Sequence, residues 1–483
     1  MANKNLNVKY CILLPIVLIV TIFLWCAPTS LFGSLGDVLT VTQQRTIAIF
    51  AFAALMWIFE IVPNWVTSLI VIVGSLLTVS NKSIAFLMNT SDESVFVPFK
   101  SIMSSFADPV VMLFMGGFVL AIVASKYGMD VTLARILLKP FGKKPKFVLL
   151  GFLIIISLFS MFMSNTATAA MFLTFLAPVL ATLPDDEKGK VGLALAIPIA
   201  ANVGGIGTPI GTPPNATAVG ILANNGMEVG FASWAVRMIP FVIVMIIIAW
   251  FLLQAFFPFK TKEIKLEIKA DTHKKTWRDY VAWITFGLTI LLWMTEQITG
   301  LNANVVALIP LAVYTATGVF EEKDIKDINW SVLWLVAGGF ALGTDLEGTG
   351  LAKAMVESID FNAMSIIVVF IVAGLICYFL SNFISNSATA ALLIPIMVAM
   401  GKGLLASNNA GAFEAMGGQY ALAIFVAVCA SLAMCLPIST PPNAIAASTG
   451  LVKTKDMAKL GIIIGAIGLV LGFFWVTKIF PFA

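Results

Sequence analysis

The sequence predicts an all-α polytopic membrane protein. Hydrophobic residues make up 60% of the 483-residue chain and charged residues only 11%, whereas a soluble domain has about 25% charged residues. Many apolar runs reach the roughly 20 residues that a membrane-spanning helix needs. In addition, the same polar motifs occur twice in the same order. These observations disfavour a soluble chain with a large core, and the net charge of +4 gives no indication of nucleic-acid binding.

The repeated motifs divide the chain into two halves. Small hydroxyl and amide side chains are costly in hydrocarbon unless they find a partner, so two such clusters inside apolar segments predict one shared polar site. The four motif pairs are Ser164–Ala170 with Ser385–Ala391, Gly116–Phe118 with Gly338–Phe340, Thr212–Asn215 with Thr440–Asn443, and Trp57 and Glu60 with Trp293 and Glu296.

The first half contains two apolar segments that are too long for single straight helices. Segment 147–183 has its polar cluster near the middle, which predicts a hairpin of two half-helices. Segment 191–224 contains glycines and prolines that interrupt a helix, which predicts a helix broken at mid-membrane. Before them we predict a spanning helix over Cys11–Cys26, helices near 45–62 and 64–80, an interfacial helix within Asn81–Asp108, and a spanning run over 109–125.

The second half repeats this order and predicts an inverted arrangement. The basic segments Arg135–Lys146 and Lys260–Arg278 both fall inside when eleven spans are counted, in agreement with the positive-inside rule. The predicted units are an N-terminal helix (1–40), a first inverted repeat (41–258), a cytoplasmic charged loop (259–279) and a second inverted repeat (280–483). The second repeat has helices near 280–298, 302–319 and 330–343, a hairpin at 363–400, a broken helix at 418–449 and a last helix at 457–479.

Inverted repeats with paired broken helices are typical of secondary transporters whose site lies at mid-membrane. The N-termini of the half-helices favour anions, while unwound carbonyls and hydroxyl or amide oxygens suit a hard cation such as Na⁺. A channel would show charged rings or a repeated filter sequence, and an enzyme would need a base, yet the single histidine, His273, lies in the charged loop.

Several residues have two interpretations. Glu60 and Glu296 are either proton carriers, as intramembrane carboxylates often are, or structural groups at helix ends. The five cysteines are scattered without a CxxC pair, which indicates core residues and not a metal site. Four tryptophans are predicted to anchor helices at the membrane interface, namely Trp57, Trp293, Trp330 and Trp334.

The doubled hairpin and Thr-Pro-Pro-Asn motifs resemble those of the divalent anion/sodium symporter family, which includes dicarboxylate, citrate and sulfate carriers. The stretch Ser431–Ala446 resembles the C-terminal signature of this family, with Met434 and Ala446 where Phe and Val are usual. The resemblance covers nearly the whole chain from about residue 40. It implies eleven transmembrane helices, two re-entrant hairpins, a homodimer in the cell membrane, and a transport domain that moves like an elevator.

The resemblance also implies which residues bind the transported species. It predicts a small dicarboxylate substrate and Na⁺ as coupling ion, without an organic cofactor or a nucleic-acid partner. Substrate carboxylates would meet Ser164, Asn165, Thr166, Thr212, Pro213, Ser385, Asn386, Ser387, Thr440 and Pro441. The cation sites would use Ser160, Ser164, Asn165 and Gly211 in the first repeat, and Ser381, the Ile384 carbonyl, Asn386 and Ser439 in the second.

The second half departs from the family pattern at three positions. Ser387 replaces the usual Thr, Asn382 stands where Glu is common, and Ile384 replaces a small residue. These departures affect the second cation site, so the sequence leaves both sodium symport and sodium-independent dicarboxylate exchange open. It also does not choose among dicarboxylates, citrate and sulfate.

Overall fold

The computed structural model describes residues 9–89, 94–184, 186–264, 275–358 and 364–482. Helices contain 78% of the residues, and the described ranges hold no β-strand beyond one isolated bridge between Ser80 and Val97. Within these ranges seven helices are long and apolar enough to cross a membrane, or eight if the bent N-terminal pair is one span. The predicted all-α polytopic architecture is therefore confirmed.

The described part of the first half forms ten longer helices. Pro109, Pro145 and Pro213 each stand in the first turn of a helix, where the missing N–H of proline removes no helical hydrogen bond. The helices are α1 Leu14–Cys26, α2 Val41–Phe59, α3 Asn64–Thr78, α4 Pro109–Lys126, α5 Met129–Leu138, α6 Pro145–Ser160, α7 Asn165–Thr182, α8 Gly189–Gly205, α9 Pro213–Asn224 and α10 Phe231–Phe256.

The second half forms nine longer helices in the described residues. A short helix, Ala303–Val306, directly precedes the second of them. They are α11 Trp277–Met294, α12 Leu308–Ala316, α13 Trp330–Gly348, α14 Leu351–Ser358, α15 Ile366–Phe383, α16 Asn386–Leu405, α17 Gly418–Ser431, α18 Pro441–Ser448 and α19 Thr454–Phe474.

Each half contains one helical hairpin and one broken helix. In the first half α6 turns into α7 across residues 161–164, and α8 is separated from α9 by residues 206–212. In the second half α15 turns into α16 across residues 384–385, and α17 is separated from α18 by residues 432–440. These turns and breaks coincide with the polar motifs.

The Gly-Gly-Phe motifs allow two helices from opposite halves to cross closely. A Cβ atom on Gly338 of α13 would lie 2.4 Å from Cβ of Ser68 on α3, and a Cβ atom on Gly116 of α4 would lie 2.2 Å from the carbonyl oxygen of Ala307 beside α12. The first half therefore contacts the second through two equivalent crossings, and these crossings fix the helices that flank the polar motifs.

The segment between Asn81 and Asp108 does not form the predicted interfacial helix. Its described residues contain only short helical pieces, at Ala85–Met88, Phe99–Met103 and Ser104–Ala107. Pro98 lacks an N–H and precedes a new helix start, at which Asn81 Oδ1 accepts from Phe99 N at 3.0 Å. Residues 90–93 lie outside the described residues, as do residues 265–274 of the charged loop, including His273.

Two of the four predicted interfacial tryptophans are core residues, so the prediction is wrong for them. Trp57 and Trp293 are only 1% and 0% exposed. Their indole N–H groups donate to Asn64 O at 3.2 Å and Ala303 O at 3.0 Å, at the start of the following helix. Each indole thus satisfies a carbonyl where the chain reverses, a contact that hydropathy does not reveal.

The two carboxylates beside these tryptophans lie at helix ends. Glu60 follows α2 in the left-handed conformation, with φ of 45°. Glu296 Oε2 accepts from Phe231 N, the first residue of α10, at 2.8 Å, where a carboxylate complements the positive end of the helix dipole. For Glu296 the structural interpretation is therefore supported by a direct contact.

A buried carboxylate ties the loop between α7 and α8 to the segment after α10. Glu187 is 3% exposed, and its carboxylate accepts hydrogen bonds from Gly189 N, Lys260 N and the N–H and hydroxyl of Thr261, at 2.7–3.2 Å. Burial alone would raise the pKa of Glu187, but these hydrogen bonds outweigh it and lower the pKa to about 2. The charged form therefore stabilises this connection.

Candidate functional site

The two hairpin tips adopt the same local conformation. Ser164 and Ser385 both have φ of −62° and ψ of 142° and both act as N-caps. Ser164 Oγ accepts from Ala167 N and Ser385 Oγ accepts from Ala388 N, each at 3.2 Å. A serine in this position satisfies one of the free amides of the first turn, which explains why α7 and α16 begin at the motifs.

The asparagines of the Thr-Pro-Pro-Asn motifs hold the unwound segments in place. Asn215 Nδ2 donates to the carbonyls of Gly205, Ile206 and Thr208 at 3.0, 3.3 and 2.8 Å. Asn443 Nδ2 donates to Met434 O and Leu436 O, both at 2.8 Å. Sequence reasoning identified the motifs but did not assign their asparagines a role.

Four helix N-termini surround one cavity of about 420 Å³. They belong to α7, α9, α16 and α18, whose caps are Ser164, Thr212, Ser385 and Thr440. All ten residues predicted to bind substrate line this cavity, and none of the described residues that line it has an ionisable side chain. Helix N-termini carry partial positive charge, and those of α7 and α16 also offer free N–H groups, whereas α9 and α18 each begin with two prolines that have none. The cavity therefore suits an anion.

The other lining residues were not predicted to bind substrate. They are Pro63, Asn64, Trp65, Phe114, Phe118, Asn202, Ile210, Gly211, Asn329, Ser331, Val332, Leu335, Ser439 and Pro442, of which only Gly211 and Ser439 were assigned to cation sites.

Asn202 connects the polar motifs of the two halves. Its Nδ2 donates to Thr440 Oγ1 at 3.1 Å, and its Oδ1 lies 3.4 Å from the side-chain amide of Asn165. Asn202 is fully buried, and a buried polar group needs hydrogen-bond partners. An amide side chain inside the apolar run of α8 was therefore the sequence signal that could have identified this residue.

The predicted first cation site contains a cluster of oxygen atoms. Ser160 Oγ lies 2.7 Å from both Asn165 Oδ1 and Ala201 O, and the same outer atom of the Asn165 amide lies 3.1 Å from Ala201 O and from Gly211 O. Turning the amide over places its nitrogen beside these three oxygens, to which its two hydrogens can be donated. With Oδ1 turned inward instead, the four oxygens form a set that suits a hard cation.

The close approach of these atoms depends on two glycines. A Cβ atom on Gly205 would lie 2.6 Å from the Asn165 side chain and 2.9 Å from Gly211 O, and one on Gly211 would lie 2.3 Å from Gly205 O. The glycines in the break therefore provide space for Asn165 to reach the carbonyls.

The predicted second cation site has a different arrangement. Ser381 Oγ donates to Asn386 Oδ1 at 2.8 Å and to Ala430 O at 3.1 Å, as its counterpart does. Ser439, which stands in the place of Gly211, instead donates to Asn382 O at 2.9 Å. Asn382 Oδ1 also accepts from Cys435 N at 2.8 Å, so Asn382 engages the hydroxyl that was predicted to face a cation.

Three of the eight predicted cation residues lie behind the cavity wall. Ser160, Ser381 and Ile384 do not line the cavity, and they are 0%, 0% and 3% exposed. The other five, Ser164, Asn165, Gly211, Asn386 and Ser439, reach the cavity surface.

Comparisons with known proteins identify related transporters. A family model described as citrate transporter matches residues 54–416. An uncharacterized transporter from Haemophilus influenzae is 30% identical over 444 residues, which cover 88% of this chain and 89% of the relative. An uncharacterized transporter from Schizosaccharomyces pombe is 31% identical over 438 residues, or 87% of this chain and 48% of the relative, so the chain spans about half the length of that protein.

A third relative has a more specific name. The sodium-dependent dicarboxylate transporter SdcS from Staphylococcus saprophyticus is 27% identical over an alignment of 508 positions, which covers 97% of this chain and 91% of the relative.

Proposed function

We propose that this chain, which belongs to the divalent anion/sodium symporter family, is a secondary active transporter of small dicarboxylate dianions. The family is one of multi-pass membrane transporters, so the chain is a transporter of the cell membrane and not an enzyme. The dicarboxylate is suggested by the name of the SdcS relative, while citrate and sulfate remain alternative anions within the family.

The observation that carries this proposal is the uncharged cavity at which four helix N-termini meet. Two hairpin tips with equivalent hydroxyl and amide groups offer one binding position for each carboxylate of a dianion. Amide dipoles and helix ends can hold a carboxylate without a buried Arg or Lys. The ten substrate residues would share the two carboxylates between Ser164, Asn165 and Thr166 on one side and Ser385, Asn386 and Ser387 on the other, with Thr212, Pro213, Thr440 and Pro441 at the helix breaks.

We further propose that Na⁺ is co-transported with the dianion. The oxygen cluster around Asn165 supports a first cation site formed by Ser160, Asn165, Ala201 O and Gly211 O, with Ser164 at its edge. A dianion that moves with two or more Na⁺ ions is neutral or positive in transit, which lowers the electrostatic barrier to crossing the membrane.

The alternating-access mechanism is part of the same proposal. The doubled hairpins, the doubled helix breaks and the two equivalent glycine crossings support two inverted repeats, with boundaries at 41–258 and 280–483. By family resemblance, the hairpins and broken helices would move together as an elevator within a homodimer, and the cavity would open to each side in turn.

A sodium-independent dicarboxylate exchanger is a second candidate, and one observation favours it. Ser439 Oγ accepts from Leu436 N, both side-chain and backbone oxygens of Asn382 accept hydrogen bonds, and the Ile384 side chain is buried behind the second tip. The second repeat therefore offers fewer free oxygen lone pairs to a cation. Without Na⁺, only the dianion would compensate the positive ends of the four helices at the cavity, so the transport domain should cross mainly when loaded, which gives exchange.

Transport of labelled succinate into liposomes tests the proposal. Counterflow should accelerate labelled uptake when unlabelled succinate is inside, which a channel does not do. Loss of uptake when choline replaces Na⁺ on both sides would rule out the exchanger, and unchanged counterflow would rule out symport. Unlabelled citrate and sulfate as competitors identify the preferred anion, and absence of uptake for all three anions would contradict the proposed function.

A further inference from the structure

Asn64, the first residue of α3, contacts the tip of the second hairpin. Its Nδ2 donates to Ser385 Oγ at 2.9 Å, across a sequence separation of 321 residues. The backbone of Asn64 is held in place because its carbonyl accepts from the Trp57 indole at 3.2 Å and from Ser68 Oγ at 3.3 Å. The half-buried Asn64 therefore presents its amide to the cavity from a backbone that is held by the buried Trp57.

This contact determines which hydrogen bond Ser385 can still form. A serine hydroxyl has two acceptor lone pairs and one donor hydrogen. Ser385 Oγ already accepts from Asn64 Nδ2 at 2.9 Å and from Ala388 N at 3.2 Å. Both lone pairs are used, so the group that remains for a ligand is the hydroxyl hydrogen.

The equivalent serine of the first hairpin is in a different situation. Among the described residues, Ser164 Oγ accepts only from Ala167 N, at 3.2 Å. The residue that corresponds to Asn64 in the second half is Ala303, because the Trp293 indole donates to its carbonyl. Ala303 has no amide side chain and lines a separate cavity with Glu228 and Glu296, so Ser164 keeps a lone pair.

We propose that Asn64 is a positioning residue that sets Ser385 as an obligate hydrogen-bond donor toward the substrate. The second tip thereby selects a ligand atom that only accepts hydrogen bonds, such as a carboxylate oxygen, and excludes a cation or an amide N–H at Ser385. The first tip, where Ser164 retains a lone pair, serves a cation as well as an anion. This inference rests on the proposed function and adds to it a residue that determines specificity.

A double-mutant cycle tests this role through binding. The dissociation constant for succinate is taken from the concentration dependence of the melting temperature of the purified protein, at constant Na⁺, for the wild type, Asn64→Ala, Ser385→Ala and the double variant. Loss of one oriented hydrogen bond should weaken binding about threefold to tenfold in Asn64→Ala. Because Asn64 acts through Ser385, the double variant should bind no more weakly than Ser385→Ala alone.

Two asparagine-to-aspartate variants separate the loss of the Asn64–Ser385 hydrogen bond from the effect of adding a negative charge to the cavity. Asn64→Asp keeps the shape but draws the Ser385 hydrogen toward the new carboxylate and away from the ligand. Asn329→Asp places a carboxylate in the same cavity, yet it can still cap Val332 N as Asn329 Oδ1 does at 3.3 Å. We expect Asn64→Asp to weaken succinate binding at least fivefold more than Asn329→Asp.

The outcomes distinguish this inference from the proposed function. Two results would overturn the role of Asn64 and leave the transporter proposal intact, provided that the wild type binds succinate. The first is that the effects of Asn64→Ala and Ser385→Ala on binding are additive. The second is that Asn64→Asp and Asn329→Asp weaken binding equally. If succinate, citrate and sulfate all fail to stabilise the wild type, the proposed function is wrong and the inference falls with it.

Discussion

The buried amide of Asn215 offers a direct test of how the broken helix is held. Its nitrogen contacts three carbonyls of the unwound segment, whereas its buried side-chain oxygen has no partner among the described residues. Replacement by alanine removes every hydrogen bond that the side chain makes. It also removes the side-chain amide donor of the Gly205 and Thr208 carbonyls at a position that is fully buried.

The size of the effect follows from these contacts. An amide NH₂ group has two hydrogens, so the contacts at 2.8 and 3.0 Å are the two full hydrogen bonds. Leaving a buried polar group unsatisfied costs about 1–3 kcal/mol. We therefore expect Asn215→Ala to lower the free energy of unfolding by about 3 kcal/mol, and Asn215→Asp, which aims oxygens at these carbonyls, to lower it further.

Thermal unfolding of the purified protein measures this loss. The matched control is Asn225→Ala at the end of the same helix, where the amide donates to a single carbonyl, Ile221 O, at 2.8 Å and is half-buried. We expect the control to lose about 1 kcal/mol or less. Equal melting temperatures for Asn215→Ala and Asn225→Ala would refute the idea that the motif asparagine holds the break.

Four further predictions concern transport and pH. Asn165→Ala and Asn386→Ala should abolish succinate uptake while the protein still inserts into the membrane, and retention of more than about half of the uptake in either variant would contradict the site assignment. In Gly205→Ala the new Cβ would lie 2.6 Å from the Asn165 side chain, so the Na⁺ concentration that gives half-maximal uptake should rise about tenfold. The control Gly343→Ala, where nothing lies within 4 Å of the new Cβ, should leave this concentration unchanged. Folding lowers the pKa of Glu187 to about 2, so the ionised carboxylate stabilises the protein above its ordinary pKa, and this stabilisation disappears as the pH falls toward 2. Glu187→Gln should therefore melt at a lower temperature than the wild type at neutral pH. An unchanged melting temperature would contradict this role of Glu187. Succinate uptake should fall as the pH drops through the second pKa of succinate, because an uncharged cavity favours the dianion, and a steep rise would instead indicate proton coupling.

The order of hairpins and broken helices could be predicted because their causes are local. Proline and glycine interrupt helices wherever they occur, and Ser164 and Ser385 cap the helices that follow them within three residues. The doubled motifs then indicated that the two tips share a site. The ten residues predicted for the substrate lie around one cavity for this reason.

The residues that sequence reasoning missed depend on contacts between distant segments. Asn64 reaches Ser385 across 321 positions, and Asn202 reaches Thr440 across 238. The amide of Asn202 stands out in its apolar run, but the partner of neither asparagine leaves a local pattern in the sequence. The same limit explains the error for Trp57 and Trp293, because the sequence around a tryptophan near a helix end looks the same whether the side chain lies at the membrane interface or in the protein core.

The two halves share a backbone design but divide the chemistry differently. At the first tip, Gly205 and Gly211 give Asn165 room to approach two carbonyls, and among the described residues Ser164 Oγ accepts only one hydrogen bond. At the second tip, Ser385 Oγ accepts from both Asn64 and Ala388, so its hydroxyl hydrogen is left for a ligand, whereas Ser439 gives its hydroxyl hydrogen to Asn382. A first tip with free oxygen lone pairs and a second tip with a free hydroxyl hydrogen suit a cation and an anion that travel together. Departures from the family pattern in the second half are therefore compatible with sodium coupling through the first half, and Na⁺ dependence should be most sensitive to substitutions around Asn165.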